Sequence, residues 1–246
     1  MSAIIDNRDL FFSGFLLTLQ LCVLAAVGSL LLGTVAAVMR ISPVPPLRWV
    51  GTSYVNVFRN MPLTIVAFMV VFALPTIGIR ADFLRIPGLD VLFPRLAIDL
   101  PYFRMAIFGL ALYTGAFVCE ALRSGVNAVA PGQAEAARAI GLTFTQNLRY
   151  VVLPQAWKAA TVPLGTAMIA MIKNSAVFGF MGLAGDLSGT FQRLVSAGGQ
   201  PAIPVFLAVT SGYLVMTVPL GLVLDRLEKQ SRAGSRGAPR RRAVAR

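Results

Sequence analysis

Residues 10–39 read LFFSGFLLTLQLCVLAAVGSLLLGTVAAVM, thirty positions without a charged side chain. A helix needs about 20 apolar residues to cross a hydrocarbon core about 30 Å thick, so this run crosses it with tilt to spare. Asp6, Arg8 and Asp9 precede it instead of a basic leader, and it is too long for a cleavable signal segment. It is read as a retained membrane helix.

Working outward, charges punctuate the rest of the chain in the same way. Asn60–Ile79 is uncharged, with Pro62 and Pro75 near its ends. Met105–Cys119, extended by Leu100–Phe103, gives a third span. The fourth runs from about Pro154 to Ala184, with Lys173 inside it, and the fifth lies within Leu194–Leu224, from Ile203 onward. The expected fold is an all-α membrane protein with five transmembrane helices. Composition agrees: of 246 residues 57% are apolar and 13% charged, and mean hydropathy is +0.74. Soluble domains carry about 25% charge, so an ordinary soluble enzyme and a disordered chain are both excluded.

The net charge of +12 raises nucleic acid as a partner, but its distribution argues against that. Arg232, Arg236, Arg240, Arg241, Arg242 and Arg246 place +6 after Gln230, which suits a cytoplasmic tail beside anionic lipid. Residues 1–230 are therefore expected to form one transmembrane domain, and residues 231–246 a basic, disordered tail. Two cysteines and no histidine exclude a disulfide framework, Cys/His zinc sites and His-based triads, so neither a metal site nor a catalytic residue is expected.

Basic residues also set the orientation. Arg40 and Arg48 lie between spans one and two; Arg123, Arg138, Arg149 and Lys158 lie between three and four; the arginine tail follows five. In the alternate segments Arg80, Arg85 and Arg95 are offset by Asp82, Asp90 and Asp99, and Arg193 by Asp186. An outer N-terminus and a cytoplasmic C-terminus put every basic segment on one side. The largest segment on that side, Ser124–Leu153, is neither apolar nor low in complexity. Its alanine-rich Gln133–Ile140 predicts a helix after Pro131-Gly132, ended by Gly141 in a left-handed conformation. A second short helix, Phe144–Val152, is expected to stop at Pro154.

The run Glu135-Ala136-Ala137-Arg138-Ala139-Ile140-Gly141, followed after nine residues by Val151-Val152-Leu153-Pro154, resembles the EAA loop of binding-protein-dependent ABC importer permeases. Val151 stands where the family pattern has isoleucine. Phe58-Arg59-Asn60-Met61-Pro62-Leu63, Tyr113-Thr114, Glu120-Ala121-Leu122-Arg123-Ser124-Gly125 and Lys173-Asn174-Ser175 resemble elements of the polar amino acid uptake subfamily, and the Asn-containing form of the first is most similar to that of its glutamate permeases. Asn174 replaces the usual aspartate and Ala176 the usual serine. The resemblance implies a type I ABC importer transmembrane domain in a bacterial plasma membrane. Implied partners are a pair of ATP-binding subunits carrying ATP and Mg, a second permease subunit (identical or paralogous) and an extracytoplasmic solute-binding protein. No cofactor is implied for this chain itself.

In such an importer Glu135, Ala136, Ala137, Gly141, Leu153 and Pro154 are the expected ATPase-coupling residues. The chain has no Gly-Lys dipeptide, so it cannot carry a Walker A loop and is not itself the ATPase. Lys173 lies too deep for easy snorkelling from the basic side. Charges at that depth cost at least about 2.5–3.5 kcal/mol, so it is expected to line a cavity, to pair with another subunit or to reach the outer headgroups. Lys173, Asn174 and Ser175 are candidate substrate-pathway residues; Arg59 and Asn60 either line the path or anchor the surface. With no acid in spans one, two, four or five, an acidic or amide amino acid such as glutamate is favoured over arginine. Gly109, Gly115, Gly165 and Gly182 are read as packing positions, and Met168, Met171 and Phe178 as core or interface. The competing readings are a membrane-embedded enzyme acting on lipid and a non-catalytic scaffold.

Overall fold

The computed structural model describes residues 2–84, 97, 100–183 and 185–236. Arg85, Asp90, Arg95 and Asp99, and the tail arginines from Arg240 onward, lie outside the described residues. Within them the chain is helical: α1 Ser2–Ile5, α2 Arg8–Ile41, α3 Pro45–Asn60, α4 Leu63–Thr76, α5 Pro101–Asn127, α6 Pro131–Ala139, α7 Phe144–Phe180, α8 Leu187–Gln192 and α9 Ala202–Arg236. Helices α2, α5, α7 and α9 are each long and apolar enough to cross a membrane, and α3–α4 add a fifth, bent candidate.

The second expected span, Asn60–Ile79, is present as α4, and the bend lies at its start: α3, which the sequence reading did not separate, meets α4 at 107° across Met61-Pro62. Proline disfavours helical backbone in the residue before it, and Met61 is extended at ψ 134. Only α4 rises through the bundle, fourteen residues or about 21 Å of helix. Beyond it the chain turns at Gly78, whose φ is +86.

A correction lies at Pro154, which does not stop the helix. Proline cannot donate to the carbonyl four residues back and its ring crowds it. A wide turn over Leu148–Val152, closed by Leu153 N–H donating to the Leu148 carbonyl, takes up the mismatch. Helix α7 therefore runs unbroken from Phe144 to Phe180.

Helix α5 is the centre of the bundle, packed between α2 and α7, and its Phe103, Met105, Leu110, Val118 and Cys119 are buried. Bilayer helices associate through close packing, which small residues permit. A Cβ on Gly33 would overlap Val118, and one on Gly125 would overlap the Ala156 carbonyl. Gly109 likewise sits under the buried ring of Phe178, Gly115 under the Tyr54 hydroxyl and Gly165 under Leu224. Gly182 is different: a Cβ there would meet nothing within 3.4 Å, and its φ of +138 is what demands glycine. Helix α9 extends to Arg236.

Between α7 and α9 the chain folds back against α2. Asp186, counted in the sequence as the balance of Arg193, is fully buried and caps α8, its Oδ1 accepting from the Gly189 N–H at 2.7 Å. Thr18 Oγ1 accepts from Leu187 N–H at 3.1 Å, and Gly14 lets the Asp186 backbone approach α2. Burial pushes the carboxyl up to about 7, against the lowering effect of the Gly189 and Ser188 N–H groups. A raised acid pKa means that the folded chain keeps its proton after the unfolded chain has lost it. The contribution to stability is therefore fully present below about 3.8, falls as pH climbs from there to about 7, and is flat above. Asparagine caps helices as well as aspartate. Asp186→Asn should therefore flatten the pH dependence of thermal unfolding between pH 4 and 7; profiles that overlay the parent's would contradict this.

Candidate functional site

Two features stand out, a helical bracket between α5 and α7 and a cleft along those same helices. The bracket starts at α6, with Pro131 in the first turn where a missing N–H costs nothing. It turns at Gly141, at φ +89 as expected, where Gly141 N–H donates to the Arg138 carbonyl (2.9 Å) and Leu142 N–H to the Ala137 carbonyl (3.1 Å). A Cβ at 141 would touch nothing within 4 Å, so the backbone conformation and not crowding selects glycine. Thr143 and Gln146 then form a reciprocal capping box that starts α7. Asn147 is buried and its Nδ2 donates to the Ala134 carbonyl at 2.8 Å, pinning α6 to α7.

That pinning separates the two alanines expected to act alike. Ala137 is buried inside the bracket, whereas Glu135 and Ala136 are exposed. Ile140 and Phe144 are each 79% exposed and sit beside Gly141 at the tip, an apolar surface with no cover from this chain among the described residues. Leu153 and Pro154 lie in the base of α7 behind the tip, both exposed.

At the bracket side of the bundle, Glu120 of α5 gathers three arginines. Arg40 Nη1 donates to Glu120 Oε1, Arg59 Nη1 lies 3.4 Å from Oε2, and Arg123 Nη1 lies 3.7 Å from Oε1. This ties the ends of α2 and α3 to α5. The sequence motif contained Glu120, but its role as a shared counter-ion was missed; the available signal was that no other acid occurs in 100–134. Arg59 is thus held at the node, and Asn60 Nδ2 donates back to the Asn56 carbonyl at 2.7 Å. Both are surface positions at the bend, outside the cleft.

The cleft, about 700 Å³, runs between Tyr113, Phe117, Glu120 and Ser124 of α5 and Thr166 and Asn174 of α7. Asn174 lines it. Lys173 is exposed, and at 100° per residue it sits about 20° round the helix from Thr166, two turns along the same open face. Among the described residues Lys173 forms no ion pair. Ser175 does not join them: it is fully buried and its Oγ donates to the Ile172 carbonyl at 2.7 Å. Met171 and Phe178 are core, as expected.

Against this geometry one family model matches residues 29–233, that of the binding-protein-dependent transport system inner membrane component. The chain belongs to this family. It is 36% identical to a probable glutamine ABC transporter permease protein of Bacillus subtilis (strain 168), over 94% of this chain and 97% of that one. It is 39% identical to a glutamate transport system permease protein of Corynebacterium efficiens, over 88% and 91% respectively. Among solved structures, an amino acid ABC transporter with histidines matches with a TM-score of 0.77 at 30% identity, covering 92% of this chain and 96% of that chain. The permease thus has the type I ABC importer transmembrane fold and is a multi-pass membrane protein. It is a transport subunit and not an enzyme, with ATP hydrolysis on a separate chain.

Proposed function

We propose that this permease forms half of an amino acid pathway whose cleft accepts glutamate or glutamine, and that its bracket docks an ATP-binding subunit on the cytoplasmic side. The observation that carries the substrate reading is the electrostatics of the α5–α7 cleft. Among the described residues its one carboxylate, Glu120, is engaged by three arginines, and its open edge offers the Asn174 amide and a Lys173 ammonium that is in no ion pair. A cationic amino acid finds no counter-ion there, while a carboxylate or amide side chain meets donors. The similar permeases named for glutamine and glutamate support the same choice.

An open face carrying a lysine is costly against lipid, which supports its facing a second permease subunit, identical or paralogous. The exposed Ile140 and Phe144 with Glu135 form the surface offered to the ATP-binding pair, which carries ATP and Mg, and Gly141 fixes the angle of that surface. An extracytoplasmic binding protein would deliver solute from the opposite side. With Arg40, Arg48, Arg123, Arg138, Arg149 and Lys158 on the bracket side, the N-terminus is outside and the C-terminus cytoplasmic.

The test is uptake into proteoliposomes with the binding protein held constant. Lys173→Met should reduce glutamate uptake about tenfold, the value of one charge-assisted hydrogen bond, and Lys173→Arg should restore much of it. Glutamate and glutamine should compete better than arginine. Strong inhibition by arginine with none by glutamate would reject the substrate reading.

A further inference from the structure

A second groove, about 930 Å³, opens on the other flank of α5. Val126 lines it, and at 100° per residue Val126 points about 180° away from Phe117 in the cleft. Its remaining walls come from the bracket-side end of α2, with Thr34 and Val38, and from the base of α7, with Trp157 and Lys158; Arg123 sits at its rim. The walls are mainly apolar, with Thr34 and Asn127 the uncharged polar residues; no acidic side chain among the described residues lines the groove, and both charged ones are basic. Arg123 shares Glu120 at 3.7 Å, whereas Lys158 is exposed and forms no ion pair among the described residues.

We propose that this groove is a binding site for an anionic glycerophospholipid of the bracket-side leaflet. One acyl chain lies along Val38 and Val126, and the phosphate is held by Lys158 with help from Arg123. Three observations converge on that occupant. The groove opens around the Arg40–Glu120 pair, the first charges after the uncharged runs of α2 and α5, where headgroups are expected to begin. Trp157 is 63% exposed at its edge, the amphipathic ring expected at a membrane interface. Its charge is basic only, so a phosphate is complementary and a zwitterionic headgroup is less so. The site lies on the opposite side of α5 from the cleft and does not depend on which amino acid is carried.

The two tryptophans of the chain make the site directly observable. In a Trp49→Phe background Trp157 is the sole reporter, and the full chain is placed in phosphatidylcholine vesicles containing brominated phosphatidylglycerol or brominated phosphatidylcholine. Trp157 should be quenched by the anionic lipid at about fivefold lower mole fraction, the enrichment one basic side chain gives near a surface. Lys158→Gln should bring the two lipids to parity, and Lys158→Arg should restore the preference. Equal quenching in the parent chain, quenching by neither lipid because a second copy covers the groove, or a preference that survives Lys158→Gln would each overturn the proposal.

Discussion

Gly141→Val permease is expected to insert and fold normally yet lose ATP-driven transport by at least about tenfold. The left-handed conformation at φ +89 costs an L-residue about 1–2 kcal/mol, and a β-branched side chain more. No packing is disturbed, since a Cβ there meets nothing within 4 Å. Strain at 141 is therefore relieved by opening the turn that joins α6 to α7, which swings Glu135, Ala136 and Ile140 away from Phe144. Gly141→Asn, better tolerated in that conformation, should lose far less. Uptake and solute-stimulated ATP hydrolysis in proteoliposomes check both variants. Normal transport by Gly141→Val would show that the bracket angle is irrelevant to coupling.

Removing the carboxylate of Glu120 is expected to be the most destabilising single change on the bracket side. Arg40 is only 12% exposed, and Glu120→Ala would leave it beside Arg59 and Arg123 with no counter-ion. Breaking a buried pair costs about 3–5 kcal/mol, but Glu120 is 31% exposed and solvent screens part of this. A loss of about 2 kcal/mol, or about 4–8 °C in Tm for a chain of this size, is the expected outcome. Arg59→Ala should cost much less, because Arg59 is 45% exposed and 3.4 Å away, and it should soften the Glu120→Ala defect by removing one of the stranded charges. Thermal unfolding in detergent reads the three variants. Equal Tm values for Glu120→Ala and the parent would mean that the node holds nothing together.

Long charge-free runs made four crossings legible in the sequence, because a bilayer tolerates so few charges that their absence is itself a pattern. The turn at Gly141 was legible for a local reason, since an alanine-rich helix followed by glycine has one favourable way to end. Proline was harder to read. Pro62 stands where the chain bends into α4, whereas Pro154 lies within α7 behind a widened turn, which spacing alone does not reveal. Charges that act across the fold were also hidden. Asp186 looked like loop charge and is a buried cap; Glu120 looked like a helix end and serves three arginines from three elements.

The candidate site was partly legible for the same reasons. Lys173 drew attention because a lysine deep in an apolar run has to be accommodated, and it is on the open face. Lys173, Asn174 and Ser175 are consecutive in sequence, but successive residues of a helix point about 100° apart, so one motif delivered an exposed cation, a cleft-lining amide and a core hydroxyl.

The central claim, that an ATP-binding subunit engages the bracket, is tested most directly by cross-linking from its tip. Cys22 and Cys119 are buried, so cysteine at exposed Ala136 is the accessible thiol among the described residues. In the assembled transporter, Ala136→Cys should cross-link to the ATP-binding subunit, and cysteine at Ile203, at the opposite end of the bundle, should not. No adduct from position 136, or one from position 203 in its place, would contradict the account.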